Sequence, residues 1–404
     1  MRVIPAPSPF SGGHCHYCEF TPGRVCRNRP TPQDKELRLL SERTPLVSVA
    51  DVPGAVEREL EDFLESSVAS ISEIGGPVAQ AAGHVRDFVL GGGKRIRPTY
   101  GWVGYAATVG QDTGAEDPAA VLRAVSSLEL IQACALIHDD IIDASDTRRG
   151  RPTVHRAIAA EHAQHKWNGD SDTYGENVAI LLGDLALVWA DDMWRDSGLS
   201  ESALLRAAEP WRGMRAEVIG GQILDISLEA SNSESEEMAN AVNRYKTAAY
   251  TVERPLHLGA AIADAGAETI AALRGYGRDI GMAFQLRDDL LGVFGDPGVT
   301  GKPAGDDLRE GKRTVLYAIA LQAADSSDQA AAERLRAGIG TATDPAEIAE
   351  LARIIESTGA MDIVEERISQ LTESGLKYLD NAGISAASVE TLTDLAIKAT
   401  SRRK

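Results

Sequence analysis

Three aspartates at Asp139, Asp140 and Asp143, with adjacent arginines at Arg148 and Arg149 close behind, crowd opposite charges into one short stretch of chain. On a helix Asp139 and Asp143 lie one turn apart on one face, with Asp140 alongside, so the carboxylates converge. An isolated cluster of this kind reads first as a solvated acidic face. Here the preceding residues Leu128, Leu130, Ile131, Ala133, Leu136 and Ile137 are apolar, which places the carboxylates at the mouth of something buried. Buried carboxylates need cations. Oxygen ligands with room for water and phosphate suit Mg2+ far better than zinc.

A second acidic set follows in "FQLRDDLLGVFGDPGVTGKPAGDDLREGKRT": Asp288 and Asp289 on another apolar helix, then Asp296, Lys302, the pair Asp306 and Asp307, and Lys312 with Arg313. Two such helices facing one another across a cavity would hold several Mg2+ ions. The ions would bridge to an anion with many oxygens, a diphosphate. Upstream, "GGGKRIRP" adds Lys94, Arg95 and Arg97 in a glycine-rich bend. The GxxxxGK[ST] order is absent and no strand precedes the bend, so it is not a P-loop. It reads as a cationic pocket for a second anion that needs no metal.

Helices are the elements that must position these groups. Of 404 residues 43% are hydrophobic and only 5% aromatic, and Ala, Leu and Ile dominate long segments with little β-branched alternation. The fold expected is all-α. A formal charge of −19 argues against a nucleic-acid-binding face, which needs a basic footprint. Helical stretches are expected over "AVERELEDFLESSVASISEI", "AAGHVRDFVL" up to Gly91, and about 121–143, 176–196, 201–227, 236–263, 267–295, 312–324, 346–380 and 386–400. That predicts one domain, 46–404, of about ten core helices. Residues 1–45 hold seven of the seventeen prolines and carry seven basic against four acidic side chains, with no helical period, and are expected to be a disordered leader. Cys15, Cys18 and Cys26 with His14 and His16 could form a metal knuckle, but no second paired ligand motif follows, so incidental thiols are the preferred reading. The longest apolar run, "NVAILLGDLALVWADD", is interrupted by Asp184, so no transmembrane segment is expected. The N-terminus lacks the apolar core of a secretory signal, and a cytoplasmic location is the expectation.

Taken in order, "GGGKRIRP", "HDDIIDASDTRRGRPT", "GGQILDI", "YKTAAYT" and the second acidic stretch resemble the trans-polyprenyl diphosphate synthases, from about residue 55 to the C-terminus. The resemblance implies an isoprenoid-synthase helical bundle around a deep central cavity, usually a homodimer. It also implies elongation of an allylic diphosphate (dimethylallyl, geranyl or farnesyl) by isopentenyl diphosphate, with release of pyrophosphate. By the same resemblance Asp139, Asp140, Asp143, Asp288 and Asp289 hold three Mg2+ ions on the allylic diphosphate, and Arg148, Lys246 and Lys302 grip that anion. Arg149, Lys94, Arg97 and Gln132 receive isopentenyl diphosphate, while Thr247 and Gln285 point oxygens at the allylic cation. The family's second motif often reads DDxxD; here its fifth position is Gly292, which leaves Asp296 as an indirect, water-mediated participant.

Product length is also implied. The fourth and fifth residues before Asp139 are Ala135 and Cys134, where a bulky aromatic floors the pocket in many farnesyl diphosphate synthases. Both are small here, so a C15 chain should have room to continue, to C20 geranylgeranyl diphosphate or, as the alternative, C25 and longer. A terpene cyclase would not need the "GGGKRIRP" pocket, and a non-catalytic subunit of a heteromeric synthase would be expected to lack metal ligands.

Overall fold

Alanine- and leucine-rich segments, each stopped by a glycine or a polar break, wind into helices almost throughout. The computed structural model describes residues 46–109, 116–296 and 304–401; the expected leader with its three cysteines, and Lys302, lie outside them. The α-helices are Val52–Ile71 (α1), Gly76–Leu90 (α2), Ile96–Val109 (α3), Pro118–Ser126 (α4), Leu128–Ile142 (α5), Val154–His165 (α6), Ser171–Arg195 (α7), Glu201–Arg206 (α8) and Ala208–Ala230 (α9). Then come Glu236–Val242 (α10), Arg254–Ile262 (α11), Ala267–Phe294 (α12), Asp306–Glu310 (α13), Val315–Ser327 (α14), Gln329–Gly338 (α15), Pro345–Ser357 (α16), Ala360–Lys377 (α17) and Ala386–Thr400 (α18). The molecule is an all-α bundle. More, shorter helices are present than expected: α3, α6, α13 and α15 lie outside the expected stretches, Ala207 separates α8 from α9, and Gly359, with φ 75°, separates α16 from α17.

The helices that carry the aspartates are held by core packing. Helix α5 lies along α7, and α12 lies between α17 and the segment 243–253. Leu128, Leu130, Ile131 and Ile137 of α5 are at most 1% exposed, and each such side chain contributes roughly 1.5–3 kcal/mol by leaving water. Residues 118–142 are long and apolar enough to span a membrane. However, 72% of their most apolar window is buried inside the protein, and the run breaks at Ser127 between α4 and α5, as befits core helices.

Two local departures from ideal helix shape the site. Asn243–Glu253 is a π-helix, one wide-wound segment between α10 and α11, and such segments concentrate at functional sites. After α5, Thr147–Arg148 and Arg151–Pro152 form a two-residue antiparallel ribbon around Arg149 and Gly150, both at positive φ (53° and 72°), a two-residue turn of the type that matches strand twist.

The "GG" of "GGQILDI" has a packing reason in its second member. A Cβ on Gly221 would run into the backbone of Lys246, whereas one on Gly220 would meet nothing within 4 Å. Close approach of α9 to the π-helix therefore depends on Gly221. Gly220→Ala should stabilise the protein by about 0.5–1 kcal/mol through helix propensity. Gly221→Ala should destabilise it by roughly 1–3 kcal/mol or more, as overpacking does. Denaturant melts of the two variants read the difference directly.

Candidate active site

Carboxylates of α5 and α9, with Asp143 at the end of α5, meet around two ammonium groups. Lys246 Nζ, on the π-helix, stands 3.1 Å from Asp139 Oδ1 and 2.5 Å from Asp225 Oδ2. Lys312 Nζ, just past α13, lies 2.8 and 2.9 Å from the two oxygens of Asp143, 3.4 Å from Glu229 and 4.0 Å from Asp225. Burial alone would lower both lysines. The carboxylates more than offset that and hold both above their ordinary value. For Asp139, burial is likewise outweighed by Lys246, Lys312 and Arg148, and its carboxyl sits below the usual range.

Asp140 plays a different part from its neighbours. It is 1% exposed, takes both Nε (2.7 Å) and Nη2 (2.6 Å) of Arg148 on Oδ1, and leaves Oδ2 buried without a hydrogen-bond partner. Arg148 Nη2 also reaches to 3.7 Å from Asp139. The tight turn after Arg148 sends the next side chain the other way: Arg149 donates to the carbonyl of Gly92 in the glycine-rich bend. Adjacent arginines thus serve two different places.

On the opposite wall Asp289 is 1% exposed and accepts from Gln285 Nε2 (2.8 Å) and Asn243 Nδ2 (3.2 Å), whereas Asp288 is exposed. Gly292 explains how a chain lacking the fifth-position aspartate still carries a carboxylate there. The side chain of Asp307, at the start of α13, occupies the space that a Cβ on Gly292 would take. Asp139, Asp143, Asp225, Asp289, Asp307 and Lys312 all line one polar cavity of about 190 Å³. Asp225 and Asn243 have no such role in the sequence reading, although Asp225 lies inside a motif already noticed, whereas Asp307 belongs to the second acidic set.

The polar cavity adjoins a larger apolar one of about 360 Å³: Asp139, Lys246 and Thr247 line both. Cys134 and Ala135 are in the apolar wall with Ile131, Val218 and Ile223. Burial, then Asp184, pushes the Cys134 thiol up to about 11, which keeps it a neutral wall residue. Gln132 accepts from the hydroxyl of buried Tyr250 (2.7 Å), and Arg97 lies 4.0 Å over the Tyr250 ring while donating to Thr251 Oγ1 (2.9 Å). Lys94 lines a separate cavity of about 170 Å³ with Lys398 of α18, so Lys94 and Arg97 face different spaces. Arg95 is structural: it is 5% exposed and bonded to Glu129 and the carbonyl of Val89, both at 2.8 Å.

An acid-lined chamber adjoining a hydrocarbon-lined one suits a molecule with an oxygen-rich anionic head and an apolar tail. Residues 80–356 match the polyprenyl synthetase family. The chain belongs to that family. Among solved structures, a geranylgeranyl pyrophosphate synthase from Corynebacterium glutamicum, complexed with isoprenyl diphosphate and magnesium, is 57% identical with a TM-score of 0.86, over 88% of this chain and 100% of that one. A geranylfarnesyl diphosphate synthase of Aeropyrum pernix is 33% identical over 75% of this chain and 88% of its own length. A (2E,6E)-farnesyl diphosphate synthase of Mycobacterium tuberculosis is 33% identical over 75% and 78%. This polyprenyl synthetase is therefore a prenyltransferase, and its relatives make products of more than one length.

Asp289 gives the site a pH signature. Burial pushes its carboxyl up to about 7, against the pull of Gln285 and Asn243. The folded value stands above that of an unfolded carboxylate, so the metal-free fold retains this proton from about pH 4 to 7 and loses stability as pH rises through that window. A divalent cation bound there must displace the proton. Mg2+ uptake should release about one proton at pH 6 and almost none above about pH 8. Titration calorimetry in buffers of different ionisation enthalpy measures the release, and Asp289→Asn should abolish it. Unchanged release in that variant would contradict the assignment.

Proposed function

We propose that the chain is a Mg2+-dependent, head-to-tail prenyltransferase that condenses isopentenyl diphosphate with an allylic diphosphate and makes geranylgeranyl diphosphate, C20, acting as a homodimer in the cytoplasm. One observation carries this reading: the carboxylate-and-lysine chamber and the apolar cavity adjoin and share Asp139, Lys246 and Thr247 as wall residues. The donor set fits magnesium. Its carboxylates, Asp139, Asp143, Asp225, Asp289 and Asp307, supply oxygen alone and line a chamber large enough for water and phosphate. Asp139, Asp143 and Asp289, with Asp140 behind them and Asp288 at the rim, would hold three Mg2+ ions, which when bound supply charge neutralisation to the allylic diphosphate.

The chain's own residues would then act as follows. Lys246, Arg148 and Lys302, joined by Lys312, stabilise the negative charge that develops as the allylic C1–O bond breaks and its electron pair passes to the leaving pyrophosphate. Thr247 and Gln285 turn oxygens toward the resulting cation. Arg97, Arg149 and Gln132 orient isopentenyl diphosphate so that its double bond attacks that carbon, while Lys94 stands in a separate cavity with Lys398. Loss of a proton to the pyrophosphate completes the new double bond. No nucleophilic side chain is required, in keeping with the neutral, half-buried Cys134. The homodimer is supported by exposed apolar side chains on α7, Ile180, Leu181 and Val188, since exposed apolar patches mark interfaces.

Incubating the purified chain with isopentenyl diphosphate, each of three allylic primers and Mg2+, then chromatographing the dephosphorylated products, tests the reading. C20 should dominate. Asp139→Ala should cut kcat at least about a hundredfold. Arg97→Ala should mainly raise the KM for isopentenyl diphosphate, and Cys134→Phe should shorten the product toward C15. Absence of isopentenyl diphosphate consumption with every primer would reject catalysis by this chain alone and favour a subunit of a heteromeric synthase.

A further inference from the structure

The apolar cavity follows one stripe of α9. From the polar end downward its lining residues on that helix are Ile226, Ile223, Gln222, Ile219, Val218 and, last, Arg215. Arg215 belongs to none of the motifs in the sequence. An arginine at the end of a hydrocarbon-lined tube is a chemical boundary, and this one is braced. Its Nη1 lies 3.1 Å from Asp191 Oδ1, its Nε donates to the carbonyl of Trp211 at 3.3 Å, and its guanidinium sits 4.9 Å over the Trp211 ring. Asp191 is itself held by Trp211 Nε1 (3.1 Å) and Arg195 (2.6 Å). Trp211 stacks on Trp194, with centroids 4.7 Å apart and planes 13° from parallel. Swinging the guanidinium aside would break a charged hydrogen-bonded pair that rests on two stacked indoles.

We propose that Arg215, positioned by Asp191 and Trp211, is the floor of the prenyl cavity and the residue that ends chain growth. The inference rests on the prenyltransferase reading above and deepens it. A prenyl terminus pressed against this pair would strip water from two charges and return no hydrogen bond, which is unfavourable. Depth then sets length. Arg215 lies ten residues from Asp225 along α9, about 15 Å or nearly three turns. One turn, about 5 Å, is the order of one isoprene unit, so the tube accepts three units below the metal end. A C15 diphosphate fits with its C1 in place and can be extended once. The C20 product cannot return as a primer, because its fourth unit would have to pass Arg215.

Arg215→Leu and Arg215→Met give the floor an apolar side chain and should move the main product from C20 to C25 or longer, whereas Arg215→Lys keeps the charge and should keep C20. Circular dichroism melts check that each variant folds. Equilibrium binding of the two diphosphates reads the floor without turnover: the wild type should prefer farnesyl over geranylgeranyl diphosphate by about tenfold, and Arg215→Leu should bind both alike. Unchanged product length in the folded Leu and Met variants, equal lengthening in the Lys variant, or an unaltered binding preference in Arg215→Leu would overturn the proposal. A wild-type chain that turns over nothing but shows the binding preference would count against the prenyltransferase reading and leave the floor supported.

Discussion

Carboxylates brought together from α5, α9 and α12 repel one another, and in this fold two lysine ammoniums make their convergence tolerable. Lys246 is shared between Asp139 and Asp225, and Lys312 between Asp143 and Glu229, with Asp225 at the edge of its reach. Each bridge joins elements far apart in sequence. Breaking one partner of such a partly buried pair leaves an uncompensated charge, which costs several kcal/mol. The site is therefore built to contain cations, and an incoming metal-bound diphosphate would exchange one set of positive charges for another. The same lysines that balance the carboxylates are placed to contact the anion.

That electrostatic constraint also separates the two ends of the cavity. Below Asp139 and Thr247 the walls turn apolar within one helical turn, at Ala135 and Cys134 on α5 and Ile223 on α9. The π-helix makes the border sharp, since its wide turns bring the consecutive residues Lys246 and Thr247 to both cavities while Tyr250 faces only the apolar one. A tight turn performs the equivalent division for Arg148 and Arg149. Charge is neutralised at one end, and hydrocarbon is measured at the other.

Much of this was legible in the sequence because spacing on a helix is direct information. Asp139 and Asp143 one turn apart, an apolar run before them, and small residues at Cys134 and Ala135 all have the placement that the 3.6-residue period implies. Other features depend on facts that no local pattern carries. Asp288 and Asp289 are neighbours, and which of them faces the cavity is set by the rotation of α12 against its packing partners; it is Asp289. Asp307 stands where Gly292 has no side chain only because α13 folds back onto α12. The helix α3 went unforeseen because Pro98 and the glycines before it read as a bend, although proline is tolerated in a first helical turn. The π-helix has no periodic signature over eleven residues, and Arg215 reads as one more polar residue on an amphipathic helix until its neighbours are seen.

An acidic chamber whose carboxylates are already balanced by lysines would take a metal ion and a diphosphate together. The most direct measurement is thermal stability of the chain with Mg2+ alone, inorganic pyrophosphate alone, and both together. With Lys246 and Lys312 already neutralising the cluster, Mg2+ alone should raise Tm little. Pyrophosphate alone should do the same, and the pair should raise Tm by several degrees with mutual dependence of their apparent affinities, as binding linkage requires. A full shift with either component by itself, or purely additive shifts, would contradict the account.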